Sequence, residues 1–129
     1  MDPPPTDFRL LRAIYERHHA DYVSALAREQ RQTDMYVPVA MHDVASGLGI
    51  SADSLHGRLY FHLDPKYAPP PEEGSSSRKR LYSPVVGNDH HCVNFPLLEA
   101  VLAGLWEEWN RQRLTAVAAA LSLALSVAS

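Results

Sequence analysis

Residues 41–60, MHDVASGLGISADSLHGRLY, predict two short helices joined by a tight turn. The first helix is expected to end at Gly49, because glycine readily adopts the left-handed conformation that follows many helices. The second begins after Ser51, whose hydroxyl can accept a backbone N–H of the first turn. It is expected to end near Asp64 and Pro65, since the residue before a proline avoids the helical region.

A long amphipathic helix is predicted before this stretch, over about residues 7–32. Thr6 or Asp7 can cap it, and its apolar side chains recur at steps of three or four, which places them on one face. A short β-prone run with Pro38 follows and predicts a brief edge strand, because proline cannot donate to a sheet ladder. The stripe on the helix consists of Phe8, Leu11, Tyr15, His18, Tyr22 and Leu26.

Two strands and a second long helix are predicted after this stretch. Residues 68–77 are rich in Pro, Gly, Ser and Glu, so we expect a mobile loop there. Residues 81–86 and 90–95 have the pattern of strands around a Gly-Asn-Asp turn, and Pro84 confines the first strand to an edge. Pro96 opens the last helix, since its missing N–H is tolerated in the first turn.

Three residues of this stretch have a characteristic spacing. The small residue Ala45 is followed four positions later by Gly49, and the apolar Leu55 lies six positions after that glycine. This spacing resembles the bihelical unit of the winged helix-turn-helix superfamily, and the resemblance covers about residues 7–110. In that family the small residue lets the helices cross closely, the glycine makes the turn and the apolar residue points into the core. The resemblance implies a mainly α (α+β) fold, a winged helix-turn-helix with a small β-wing and a long C-terminal helix.

One position departs from the family pattern. The last core position of the unit usually lies three residues after the apolar residue, and Arg58 stands there. We expect Leu59 to take that place in the core through a slight rotation of the helix.

The chain divides into three parts on this interpretation. Residues 1–6, with three consecutive prolines, are expected to be a disordered lead, residues 7–113 the winged-helix domain, and residues 114–129 an apolar helical tail. The tail is shorter than the roughly 20 residues that a helix needs to span a bilayer, so we do not expect the chain to cross a membrane. The N-terminus lacks the basic and apolar regions of a signal peptide, which predicts a cytoplasmic protein.

The resemblance implies a small DNA-binding regulator whose third helix lies in the major groove. Polar side chains would form the outward face of this helix, and basic side chains beside it and at the base of the wing would contact phosphates. The run of residues 78–80 could equally be the solvated end of a loop. The candidate DNA contacts are Ser51, Asp53, His56, Arg58, Tyr60, Lys66, Arg78, Lys79 and Arg80, with Ala52 and Gly57 on the same face.

A winged-helix protein-interaction module that does not bind DNA is the alternative. The outward face of the third helix carries one acid and no Lys or Arg, and the formal net charge of the chain is −3. Contacts to phosphate and guanine usually come from basic side chains, so this composition favours a protein partner. The family resemblance favours duplex DNA, and both functions stay open at this point.

The apolar tail predicts a homodimer held by the C-terminal helix. A helix from Pro96 to the end would be about 50 Å long, whereas a domain of this size is about 30 Å across. A twin chain would cover an apolar patch that monomers rarely expose. A disordered or membrane-skimming tail is the rival, although weak amphipathicity and the absence of Lys or Arg disfavour membrane skimming. The candidate interface residues are Trp106, Trp109, Val117, Leu121 and Leu125.

The histidines and the single cysteine do not form a recognisable catalytic or metal motif. His18-His19 and His90-His91 are adjacent pairs, which face different directions on a helix or a strand. A metal site of His90 or His91 with Cys92 and a distant histidine stays open beside the simpler interpretation of polar strand residues and a buried thiol. His18 is expected to be a hydrogen-bonded core histidine. Nucleotide-binding and hydrolase motifs are absent from the sequence, so we expect neither an enzyme nor a cofactor.

Overall fold

The computed structural model describes residues 3–28, 35–71, 73–74 and 79–128. Helices dominate this part of the chain and three short strands form one antiparallel sheet, so the mainly α (α+β) class is confirmed. In chain order the elements are α1 (Asp7–Arg28), β1 (Tyr36–Pro38), α2 (Met41–Leu48), α3 (Ala52–Gly57), a π-helical segment (Arg58–Leu63), α4 (Asp64–Tyr67), β2 (Tyr82–Val86), β3 (Asp89–Asn94) and α5 (Phe95–Ala128).

The turn between α2 and α3 has the geometry expected from its glycine. Gly49 lies in the left-handed region with φ of 73°, and Ile50 donates its N–H to the carbonyl of Ala45 at 3.0 Å. Ala45 is 2% exposed and Leu55 is fully buried, and both belong to the same core. The predicted turn at Gly49 and the burial of these two residues are therefore confirmed.

The helix that begins with α3 continues past Pro65 to the end of α4, so the prediction that it ends near Asp64 and Pro65 is wrong. Just before Pro65 the helix widens into the π-helical segment, in which Asp64 donates its N–H to the carbonyl of Leu59, five residues earlier. A wider turn relieves the clash between a proline ring and the carbonyl of the preceding turn. The buried carboxylate of Asp64 also accepts the N–H groups of Leu81 and Tyr82, which ties this turn to β2.

The three strands lie in the order β1-β3-β2, and both pairs of neighbours are antiparallel. Each edge strand contains a proline, Pro38 in β1 and Pro84 in β2, as predicted, because an edge tolerates the missing N–H. A tight hairpin joins β2 to β3, with Val86 paired to Asp89. Gly87 begins its turn with φ of 59°, which confirms the predicted hairpin.

One apolar core lies between α1, the helices that follow β1, the sheet and the start of α5. Leu59 is fully buried whereas Arg58 beside it is partly exposed, so Leu59 fills the core position as predicted. The core includes Leu10, Leu11, Ile14, Val37, Val44, Leu48, Leu55, Leu63, Leu81, Val93, Phe95 and Leu98.

His18 is a buried, hydrogen-bonded histidine of α1, as predicted. Its Nε2 accepts the backbone N–H of Ala40 at 3.0 Å, and its Nδ1 lies 3.0 Å from Oδ2 of Asp21. A ring nitrogen that accepts cannot also carry the proton, so the neutral ring holds its proton on Nδ1 and donates it to Asp21. The ring thereby joins α1 to the start of α2.

The N-terminal lead is more ordered than predicted. Pro5 is buried and its carbonyl accepts a hydrogen bond from Nη1 of Arg58 at 2.8 Å, so the disorder expected over residues 1–6 does not extend to Pro5. Thr6 caps α1, because its hydroxyl accepts the N–H of Arg9 at 3.1 Å. This cap agrees with the sequence prediction.

Two predictions fall partly on residues that the structure does not describe. The continuation of the first helix from α1 to residue 32 lies outside the described residues. Residues 69–71 have no regular secondary structure, and residues 72 and 75–77 of the loop predicted at 68–77 are outside the described part of the chain. The mobility of that loop stays a prediction.

The last helix, α5, is continuous over 34 residues and therefore about 51 Å long. The side-chain oxygen of Asn94 caps it by accepting the N–H of Leu97 at 3.2 Å. Leu98 is fully buried, but from Trp106 onward every described side chain except that of Asn110 is exposed. The N-terminal third of α5 thus completes the core, and the remainder projects away from it.

Candidate functional site

The carboxylate of Asp7, at the N-terminus of α1, binds two of the predicted DNA contacts. Arg58 donates from Nη2 to Oδ1 of Asp7 at 2.9 Å, and Lys66 donates from Nζ to Oδ2 at 2.8 Å. The hydroxyl of Tyr67 donates to the same Oδ2 at 3.2 Å, and Nε2 of His62 lies 3.3 Å from Oδ1. Both cations are therefore engaged by a carboxylate of their own chain.

The electrostatics of this cluster agree with its geometry. Burial of Asp7, whose side chain is 16% exposed, opposes its ionisation and is the largest single influence on its pKa. The hydrogen bonds from Lys66 and Arg58 and the charge of Lys66 together outweigh burial and lower the pKa of Asp7 to about 2. The hydrogen bond to Asp7 in turn raises the pKa of Lys66. All three groups are charged at neutral pH.

Arg80, which precedes β2, is paired in the same way. Its Nε donates to Oδ2 of Asp64 at 3.2 Å, and its guanidinium carbon lies 5.5 Å from the ring centre of Tyr60. Lys79 is exposed, and Arg78 lies outside the described residues. Three of the four predicted basic contacts that the structure describes are thus bound to carboxylates, and a phosphate would have to compete with those carboxylates.

The outward side of the third helix presents aromatic rings. Ser51 and Asp53 are exposed, as predicted, but the hydroxyl of Ser51 accepts a backbone N–H and serves as the helix cap. His56 and Tyr60 are half-buried and their rings stack with centres 5.7 Å apart. Phe61 is 74% exposed and its ring meets that of Tyr60 edge to face at 4.9 Å. We refer to His56, Tyr60 and Phe61 as the aromatic face.

A tyrosine–histidine cluster from the hairpin packs behind the aromatic face. The hydroxyl of Tyr82 lies 2.7 Å from Nδ1 of His91, and the ring of His56 contacts both rings edge to face at 5.7 and 5.8 Å. Burial raises the pKa of Tyr82 to about 12. Burial, and next the nearby imidazoles of His56 and His90, lower the pKa of His91. The Tyr82 hydroxyl and a neutral His91 therefore form the hydrogen bond at physiological pH.

The backbone of His91 is unusual because its φ of 55° lies in the left-handed region that a non-glycine residue rarely adopts. Its carbonyl accepts the N–H of Val39 at 2.9 Å, which holds the strand in this conformation. An open cavity of about 560 Å³ lies beside it, lined in part by His42, Asp53 and His56. Among the described residues, however, no group of three His, Cys, Asp or Glu side chains is placed to bind a metal ion. Cys92 is buried.

The projecting part of α5 exposes large apolar side chains. All five residues predicted for the dimer interface are exposed, and Trp106 stacks against Phe8 of α1 at 6.0 Å and against Trp109 at 5.3 Å. Among the described helices, none combines the length and the apolar character needed to cross a membrane. The exposed interface residues are Trp106, Trp109, Val117, Leu121 and Leu125, and Leu114, Leu123 and Val127 are exposed with them.

An open groove of about 420 Å³ separates α1 from α5 next to Trp106. Apolar side chains that include Phe8 and Leu102 line it, together with the charged Arg12, Glu16 and Glu99. Arg12 and Glu16 are paired with each other at 2.8 Å.

Sequence reasoning found the basic residues of this surface but missed the two acids that bind them. Asp7 is recognisable only as a helix cap and Asp64 only as the residue before a proline. Their partners are 51 residues away for Arg58 and 16 residues away for Arg80. No short-range pattern signals such pairs.

In comparisons with known proteins, no family model, no curated protein and no solved structure matches this chain.

Proposed function

We propose that this chain is a winged-helix protein-interaction module that does not bind DNA. The order of its helices and strands supports the winged-helix interpretation, as does the sheet order β1-β3-β2. The glycine turn between two short crossing helices supports it as well. In helix-turn-helix domains the second helix of the bihelical unit is the one that contacts DNA. We infer that here this helix and the adjacent hairpin contact a protein instead.

The pairing of the basic side chains carries the proposal. DNA affinity comes mainly from Lys and Arg that neutralise phosphates. On this surface Arg58 and Lys66 are bound to Asp7, and Arg80 is bound to Asp64. The hairpin tip between β2 and β3 has the sequence Gly87-Asn88 followed by an acid, so it offers no cation either.

The aromatic face has the composition of a protein-binding surface. Aromatic side chains and arginine are enriched where proteins bind one another, and a few such side chains usually carry most of the affinity. Phe61 is the most exposed aromatic of this face, and Tyr60 lies between it and the guanidinium of Arg80. We infer that Phe61 and Tyr60 are the residues that a protein partner would contact first.

Titration of a labelled random duplex with the full chain, followed by fluorescence anisotropy at low salt, tests the proposal. A module of this kind should show no saturable binding at tens of micromolar protein in about 50 mM salt. Saturable binding that weakens as salt is raised would overturn the proposal, because salt dependence is the signature of phosphate contacts.

The substitution Phe61→Ser tests the role of the aromatic face. Exposed residues contribute little to folding, so the free energy of unfolding should change by less than about 0.5 kcal/mol. The buried neighbour Leu59 is the matched contrast, since Leu59→Ser should destabilise the domain by several kcal/mol. A large loss of stability in Phe61→Ser would mean that this ring serves the fold and not a partner.

A DNA-binding regulator is the second candidate, favoured by the family resemblance and by the exposed Lys79 before the hairpin. In that case Arg78, Lys79 and Arg80 should carry more affinity than the outward side of α3. Changing all three to alanine should reduce the salt dependence by at most about three phosphate contacts. Affinity that is unaffected by this triple change would exclude the wing as the DNA contact.

A further inference from the structure

The projecting part of α5 carries a regular apolar stripe. At 100° per residue, Leu114, Val117, Leu121 and Leu125 lie within a sector of about 80°. Thr115 and Ser122 lie about 120° and 100° from the centre of this stripe. The exposed Leu123 and Val127 also lie outside it, about 160° and 120° from its centre. The stripe is also turned by about 140° from Leu98, which faces the core, so a second helix could lie on it without displacing α1.

The spacing of this stripe is the same in both directions. The steps along the stripe are four, four, three, four and four residues, and they join Trp106, Asn110, Leu114, Val117, Leu121 and Leu125. Such a pattern is symmetric about the point between residues 115 and 116. A twofold interface requires a surface that complements itself, and a symmetric stripe meets this condition when two helices run antiparallel.

We propose that the protein is a homodimer in which the two α5 helices pair antiparallel along this stripe. Leu114 then lies opposite Val117 of the partner subunit, and Trp106 lies opposite the partner's Leu125. In this arrangement Glu107 lies within the sector of the stripe, so its carboxylate must stay in water at the edge of the interface. The two domains lie at opposite ends of the helix pair.

The groove between α1 and α5 provides the second observation for this arrangement. Antiparallel pairing places the end of the partner's α5 opposite Ala103, which lines the groove beside Trp106. Apolar side chains line much of this groove, together with Arg12, Glu16 and Glu99. The end of each helix therefore lies near this groove of the other subunit.

The exposed apolar area of the stripe approaches that of a specific interface. A fully exposed Leu side chain buries on the order of 100 Å², and a Trp about twice that. The four aliphatic residues of the stripe are 50–73% exposed, and Trp106 about half exposed. Covering them in both subunits removes roughly 700 Å² from water before the alanines are counted. Specific interfaces begin at about 1,000 Å², so we expect a weak dimer.

Sedimentation equilibrium of the full chain between about 1 and 100 µM tests the dimer. The expected result is a species of twice the 14.4 kDa chain mass at the upper concentrations. The variant Leu121→Glu should weaken association by a factor of about 100 or more, because a carboxylate would be buried unpaired in each subunit. The control Ser122→Glu, on the polar side, should remain dimeric, and both variants should keep the helical circular dichroism of the parent.

A wild-type monomer at 100 µM, or a dimer that Leu121→Glu leaves intact, would overturn the proposal. Single-cysteine variants test the orientation, because Cys92 is buried and should not cross-link. Under oxidation, a mixture of Leu114→Cys and Val117→Cys should cross-link. Leu125→Cys alone should not, since its two copies would be about 28 Å apart in an antiparallel pair. Ready cross-linking of Leu125→Cys would show parallel helices and contradict the proposed arrangement. Because this proposal does not involve the aromatic face, its failure would leave the proposed function standing.

Discussion

Replacing Asp7 by asparagine removes the charge that holds Arg58 and Lys66 against the domain. The difference between the ordinary carboxyl pKa of 3.8 and the folded value of about 2 corresponds to at most about 2.4 kcal/mol, at 1.36 kcal/mol per pH unit. Lys66 is half exposed, so solvent screening reduces this figure. We therefore expect Asp7→Asn to lower the free energy of unfolding by about 1–2 kcal/mol at pH 7.

The pH dependence gives this prediction a definite sign. Because folding lowers the pKa of Asp7, its stabilising contribution is fully present above pH 3.8 and is lost as the pH falls through about 2. Urea unfolding followed by circular dichroism, at one protein concentration, should show a difference between wild type and Asp7→Asn at pH 7 that shrinks towards pH 2. Equal stabilities at pH 7, or a gap that persists undiminished at pH 2, would refute the argument.

Two further substitutions test the packing around α2. Ala45→Leu should overpack the crossing of α2 and α3 and cost about 1–3 kcal/mol in urea unfolding, whereas Ser46→Leu on the exposed side should change stability by less than about 0.5 kcal/mol. Equal effects of the two variants would contradict the crossing. His18→Ala should cost about 1–3 kcal/mol, because the N–H of Ala40 loses its acceptor. A neutral result for His18→Ala would mean that water replaces the imidazole.

Much of the fold could be predicted because its signals are local. Gly49 marks the turn through its positive φ, and Pro38 and Pro84 mark the edge strands through their missing N–H groups. The end of the third helix could not be predicted in the same way. Its continuation past Pro65 depends on a π-helical segment and on the bonds of Asp64 to β2, and those bonds form only after the chain has folded.

The candidate site was less predictable than the fold for a related reason. Composition identified the basic residues near the third helix, but their availability depends on Asp7 and Asp64, which approach them only in the folded chain. The left-handed backbone of His91, within β3, was likewise not signalled by a short-range pattern. The ion pairs that these side chains form across the fold could not be inferred from their number.

The salt dependence of association with random duplex DNA tests the central claim most directly. Anisotropy titrations of the full chain at several salt concentrations between about 50 and 200 mM would measure it. If Arg58, Lys66 and Arg80 remain bound to their carboxylates, no saturable binding is expected at any of these concentrations. Saturable binding whose affinity falls as the salt concentration is raised would contradict the account, because such a slope is the signature of phosphate contacts.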